Sequence, residues 1–103
     1  MKEINIATAQ FQTRNGDKKY NLSRIEELTS EAAGKGARIV SFHEMSITSY
    51  TFTNKLSRPE IFDLAEEVPS GESTEQLVRI AGKYNVALLA GLVEKEGEQV
   101  YNT

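Results

Sequence analysis

The sequence predicts an α/β fold in which amphipathic helices cover one face of a mixed sheet, and three stretches carry that prediction. Ile39-Val40-Ser41-Phe42 is an apolar run of strand length that stops abruptly at His43-Glu44. Before it, Leu22, Ile25, Leu28, Ala32 and Ala33 recur at the spacing that gathers them on one face of a long helix. After it, Val86 to Val93 has no polar side chain, as in a strand covered on both faces. Strand, long helix, buried strand makes a right-handed parallel crossover.

Taken in order, Ile4, Ile6, Ala7, Ala9 and Phe11 alternate partly with polar residues and form the first strand, which ends before the Asn15-Gly16 turn. Asp17 is placed to cap the helix that follows, and Glu26, Glu27, Ser30, Glu31 and Lys35 supply its polar side. Gly36 suits the left-handed end of that helix before the second strand begins at Arg38. Ser57-Arg58-Pro59-Glu60 has the form of a capping box with Pro in the first turn, and predicts a short helix through Ile61, Phe62, Leu64 and Ala65. Ser73-Thr74-Glu75-Gln76 reads as a second capping box, opening a helix with Leu77, Ile80, Ala81 and Tyr84 on its apolar face and Asn85 at its end. Val86 to Val93 is then expected at the centre of the sheet. Lys95 to Glu98 is expected to be a hairpin turn, with Gln99 to Thr103 returning antiparallel to that strand. A strand left unfinished at Thr103 makes residues 1–103 read as the N-terminal part of a single larger domain.

The composition bounds the function. With 103 residues, 39% hydrophobic and 26% charged, the chain is an ordinary globular one, and a net charge of -3 with no basic face argues against a nucleic-acid partner. No run approaches a membrane span and Met1-Lys2-Glu3 leads into a strand without a signal-peptide core, so the expectation is a cytoplasmic protein that does not engage a membrane. Cysteine is absent, which excludes disulfides, thiolate metal sites and a thiol nucleophile within these residues. No cofactor is expected. A metal site is not expected either, because the single His and the neighbouring Glu point to opposite faces of a strand.

Glu44 is the leading functional residue. A lone Glu after a strand is ordinarily a solvated loop charge. Here it lies between an apolar strand and the uncharged stretch Met45 to Phe52, at the strand's C-terminal end, where open α/β sheets collect their ligands. Such a carboxylate is expected to be partly desolvated, which makes it a better proton acceptor and a candidate general base. His43 and Tyr50 flank it. Each is read either as packing or as a substrate contact.

The residues also support a resemblance. Ala7-Thr8-Ala9-Gln10, the long helix, Ile39-Val40-Ser41-Phe42-His43-Glu44-Met45 with Tyr50 six residues after Glu44, Leu64-Ala65-Glu66-Glu67-Val68-Pro69-Ser70-Gly71, Ala90-Gly91-Leu92-Val93-Glu94 and Tyr101-Asn102-Thr103 follow one another as in the carbon-nitrogen hydrolases of the nitrilase superfamily, which the chain resembles throughout its length. The resemblance implies the N-terminal portion of a four-layer αββα sandwich, and a homo-oligomer acting on a small amide, carbamoyl or nitrile substrate. It implies a Glu-Lys-Cys triad working through a covalent acyl-enzyme, with Glu44 as the general base and the Lys and Cys beyond Thr103. On that reading the 103-residue chain alone is inactive. Two residues depart from the usual pattern, His43 where Pro is common and Ser49 where Gly is common, and both bear on the shape of the pocket rather than on the base.

Two other classes compete with this reading. A catalytically inactive fragment or pseudoenzyme acting by association is compatible with a chain holding one member of the triad. A flavodoxin-like or phospho-receiver domain fits the length but not the residues, since Gln10, Gln12 and Thr13 follow the first strand where a receiver needs acidic Mg²⁺ ligands.

Overall fold

The computed structural model describes residues 3–103. Its elements are β1 (Ile6–Ala9), α1 (Lys18–Gly34), β2 (Ile39–Phe42), a 3-10 turn (Thr51–Lys55), α2 (Arg58–Leu64), α3 (Glu72–Tyr84), β3 (Ala87–Leu89), β4 (Val93–Glu96) and β5 (Gln99–Asn102). Asp17 caps α1 by accepting the amide of Tyr20, and Gly36 follows its end with φ +94°. The capping box predicted at Ser57 is complete in both directions, with Pro59 in the first turn of α2. Asn85 ends α3 in the left-handed conformation.

β1, β2 and β3 form a parallel sheet with β2 in the middle, and the register sets Ala7, Val40 and Leu88 side by side. Side chains on that face, with Ala9 and Phe42, join Ile25 of α1 and Ile80 of α3 in the main core. Ile25, Val40, Ile47 and Ile80 are fully buried, and each contributes about 1.5–3 kcal/mol by leaving water. The opposite face carries Ile6, Ile39 and Ala87 in one row and Thr8, Ser41 and Leu89 in the next. No helix covers it among the described residues, and Ile6 and Leu89 are 62% and 53% exposed. The helices therefore lie on one face of the sheet, as the sequence predicts.

Three expectations are corrected. Val86 to Val93 is not one central strand: β3 ends at Leu89 on the edge of the sheet, and the chain leaves at Gly91 to start β4. Uniform apolarity does not separate a strand from an extended connection that is buried in places, and here Leu92 and Val93 fill two different cores. β5 consequently pairs antiparallel with β4, through a tight turn at Gly97-Glu98, rather than with β3. Ser73 is not a helix cap. α3 begins at Glu72, with Gly71 rather than Ser73 as its N-cap, because the hydroxyl and the amide of Ser73 are both taken by the carboxylate of Glu66.

Glu66 joins four elements. Its backbone amide donates to Val93 O at 2.9 Å and its carbonyl accepts from Lys95 N at 2.8 Å, so the segment after α2 pairs with β4. Its side chain meets Lys18 of α1 at 2.9 Å and closes the N-terminus of α3. Burial disfavours the charge of Glu66, yet the hydrogen bonds from Ser73 and the Lys18 ammonium outweigh it and hold the carboxyl below the usual carboxylate range. Gly71 lets this segment fold back, since a Cβ there would stand 2.6 Å from Glu67 O.

A second polar clamp joins α1 to α3. Glu26 accepts from Arg79 at 2.8 Å, from Lys83 at 3.2 Å and from the Tyr84 hydroxyl at 3.2 Å, and chiefly the Arg79 hydrogen bonds, with those of Lys83, pull its carboxyl down to about 2. A carboxyl depressed in the folded state adds stability that is present above its unfolded value and lost as pH falls through its folded one. Thermal denaturation followed from neutral pH towards about 2 should therefore show the Glu26→Gln variant losing less stability over the acid range than the wild type. Parallel curves would mean that the clamp carries none of the pH dependence.

The bare sheet face generates another expectation. An uncovered apolar strip next to the unpaired edges of β1 and β3 favours association. The 103-residue chain on its own should sediment as dimers or larger species, and Ile6→Lys with Leu89→Glu should return it towards the monomer. A monomeric wild-type chain would show that the face is not adhesive.

Candidate active site

The candidate site grows from the exit of β2. Val40 and Phe42 point into the helix-covered core, and the chain leaves the sheet at His43. The imidazole of His43 packs edge-on against Phe11, with centroids 5.2 Å apart, and Phe11 in turn edges Phe42 at 6.2 Å. His43 Nδ1 is buried without a hydrogen-bond partner among the described residues. Packing thus accounts for the ring's position.

The next five residues form a compact turn. Met45 has φ +56° and Ser49 φ +82°, and the amides of Thr48 and Ser49 both reach back to Met45 O. A left-handed conformation costs a residue with a Cβ about 1–2 kcal/mol, which is the physical reason a glycine is at home where this chain has Ser49. Packing holds the turn: Met45 joins Ala65 and Val93 in a second small core, while Ile47 reaches the main core.

Glu44 stands at the head of this turn and is exposed. The expected partial desolvation is therefore not found within the chain. Met45 and Ile47, the apolar residues that suggested it, turn inward to their own cores instead of surrounding the carboxylate. Asn102, at the end of β5, donates its side-chain amide to Glu44 Oε1. Tyr50 is 48% exposed, and no hydrogen bond links it to Glu44 or His43 among the described residues. Surface concavities lie elsewhere, along β1 and α1, between α1 and α3, and around Ile4, Arg38 and Asn85. No three His, Asp or Glu side chains cluster as metal ligands would among the described residues. No described helix is long and apolar enough to cross a membrane.

The backbone around Glu44 is fixed from two sides. Gly91, just past β3, lies so close that a Cβ on it would overlap Met45 N and stand 3.2 Å from the Cα and C of Glu44. Gly91 O accepts the amide of Ile47 at 3.1 Å, and Gly91 N donates to Ser46 Oγ at 3.2 Å. From the other side the buried amide of Asn21 donates to Ile47 O at 2.8 Å. The sequence alone gives no individual role to Asn21, Gly91 or Asn102. The one local signal is Asn21 itself, a polar residue in line with Ile25 and Thr29 on the buried face of α1.

Comparison with known proteins adds to this geometry. The model of one protein family, described as carbon-nitrogen hydrolase, matches residues 5–103. Among curated proteins, a nitrilase of Pyrococcus abyssi is 33% identical over 100 residues, covering 97% of this chain and 37% of the relative. An omega-amidase NIT2 of Mus musculus is 35% identical over 104 residues, covering 100% of this chain and 35% of the relative. This chain thus spans about a third of the length of such relatives. Among solved structures, a CN-hydrolase superfamily protein of Xanthomonas campestris, with an arsenic adduct in its active site, superposes with a TM-score of 0.81 at 20% identity over 99% of this chain and 35% of its own. The NitN amidase of Nesterenkonia sp. AN1 gives 0.70 at 22% identity over 92% of this chain and 35% of its own. At such identities the superpositions speak for the fold.

The contact at Gly91 yields a direct test. Gly91→Ala puts a methyl group into the Met45 backbone and should destabilise the protein by about 1–3 kcal/mol while speeding hydrogen exchange at the Ile47 amide. Gly82→Ala, in the open interior of α3, should instead stabilise by up to about 1 kcal/mol. Equal effects of the two substitutions would show that the close approach carries no weight.

Proposed function

Because this chain belongs to the carbon-nitrogen hydrolase family, we propose that the protein carrying it hydrolyses a small amide, N-carbamoyl or nitrile substrate, with Glu44 as general base. What supports the assignment is the position of Glu44: an exposed carboxylate on a rigid turn at the C-terminal end of the middle strand, with Asn102 on one oxygen. The 103 residues would form the N-terminal part of one hydrolase domain, whose Cys and Lys lie outside them. In the proposed cycle Glu44 takes the proton of the thiol, and the thiolate attacks the substrate carbon. For an amide, the proton passes to the departing amine and the acyl group stays on sulfur. Glu44 then takes a proton from water as that water attacks the thioester, and returns it to the thiolate. The Lys steadies the developing oxyanion. His43 and Tyr50, on either side of the base in the chain, are proposed substrate contacts, and the second sheet of the sandwich would cover the face of Ile6 and Leu89. No cofactor or metal enters this cycle. The active protein is proposed to be a cytoplasmic homo-oligomer.

The test uses the full-length protein and a panel of short amides, ω-amides, N-carbamoyl amines and nitriles. Glu44→Gln keeps the size of the side chain and removes its basicity, so kcat/KM on the best substrate should fall by at least about 10²-fold. The isolated 103-residue chain should show no turnover. Wild-type rates in a folded Glu44→Gln protein would refute the role given to Glu44.

A further inference from the structure

Asn21 is fully buried in the first turn of α1, on the line of Ile25 and Thr29. A Leu there would bury more apolar surface at no polar cost, so the amide must be satisfied to be tolerated. Both of its N–H groups and its oxygen have partners. Oδ1 accepts the backbone amide of Arg14 at 2.9 Å, while Nδ2 donates to Arg14 O at 2.9 Å and to Ile47 O at 2.8 Å. The side chain thereby pairs with Arg14 as a neighbouring strand would and uses its second N–H on the turn that follows Glu44. A parallel tie runs beside it, from Gly16 N to Thr48 O at 2.9 Å, with Gly16 at φ +67°.

Two of the bonds converge on one residue. The amide of Ile47 donates to Gly91 O and its carbonyl accepts from Asn21, so this residue, three after Glu44, is held at both backbone groups by different parts of the fold. An apolar side chain at position 21 would fill the same space without fixing the direction of the Ile47 carbonyl, because hydrophobic contact is non-directional. On the reading of Glu44 as general base, we infer that Asn21 is a positioning residue: its buried amide ties the loop between β1 and α1 to Ile47 and so sets the approach of the Glu44 carboxylate to the reacting atoms. Asn21 touches no substrate itself. Its loss should cost turnover more than binding, since a small misplacement of a catalytic group lowers the rate steeply.

The experiment measures kcat and KM of the full-length protein as wild type, Asn21→Ala, Asn21→Asp, Ile25→Val and Glu44→Gln on one substrate. Both Asn21 variants should lose at least about tenfold in kcat with KM changed by no more than about threefold. Ile25→Val, a core change one turn along the same helix, should lower thermal stability and leave kcat alone. A folded Asn21 variant with wild-type kcat, beside an inactive Glu44→Gln, would overturn the positioning role while sparing the base. An active Glu44→Gln would remove the base and this inference together. If neither Asn21 variant folds, hydrogen exchange in the wild-type protein decides. The Asn21 side-chain amide should then be protected together with the amides of Gly16 and Ile47, and fast exchange of the Asn21 amide beside a protected Ile47 would overturn the inference.

Discussion

The close approach of Gly91 to the backbone of Glu44 and Met45 is the constraint on which the rest of this structure depends. It brings the connection leaving β3 into contact with the exit of β2, and only a residue without a Cβ permits that distance. Much follows from it. The chain can no longer continue as a long strand beside β2, so it turns into the β4–β5 hairpin, and Leu92 exchanges backbone hydrogen bonds with Thr103 at 2.8 and 3.0 Å. That pairing puts Asn102 at the end of β5, within reach of the Glu44 carboxylate. One missing side chain therefore sets the path of three strands and the environment of the principal acid.

Around this contact the turn after β2 divides its labour by polarity. Met45 and Ile47 anchor it in separate cores, so rotation of the turn as a unit would empty two packed sites at once. Directional bonds from Asn21 and Gly91 then select one backbone orientation within that packing. The left-handed Met45 and Ser49 persist because both sets of contacts determine them.

The fold was largely legible in the sequence because its strongest elements are also its most periodic. α1, with Asp17 before it and Gly36 after it, and the Ser57 box of α2 follow from local chemistry that tertiary packing leaves in place. β2 and the position of Glu44 at its end were legible for the same reason. Misreadings came where distant residues decide. Ser73 and Gln76 have the spacing of a capping box, but Glu66, seven residues before Ser73, outcompetes the local bond. Val86 to Val93 has the composition of a central strand, and what divides it is the close approach of Gly91 to the backbone of Glu44 and Met45, far away in the sequence. Asn21 was visible as a polar residue on an apolar line, but its partners, Arg14 and Ile47, cannot be read from helical spacing. The exposure of Glu44 was equally hidden, because an apolar neighbour in sequence can turn its side chain away.

For the general base proposed at Glu44, that exposure separates two properties. Orientation is built into these residues: a rigid turn, a buried anchor and a hydrogen-bonded carboxylate oxygen. The dry environment that strengthens electrostatic catalysis is absent around Glu44 as it stands here, and on the proposed role it would come from a surface closing over the turn. A surface that covered Glu44 would approach the end of β2, beside the sheet face that carries Ile6 and Leu89. The same packing event that removes this apolar face from water would then carry the carboxylate into a medium of low dielectric. On the proposed function, pairing with a second sheet and activation of the base would in this way be one process, driven by apolar burial and steered by an acid already held in place.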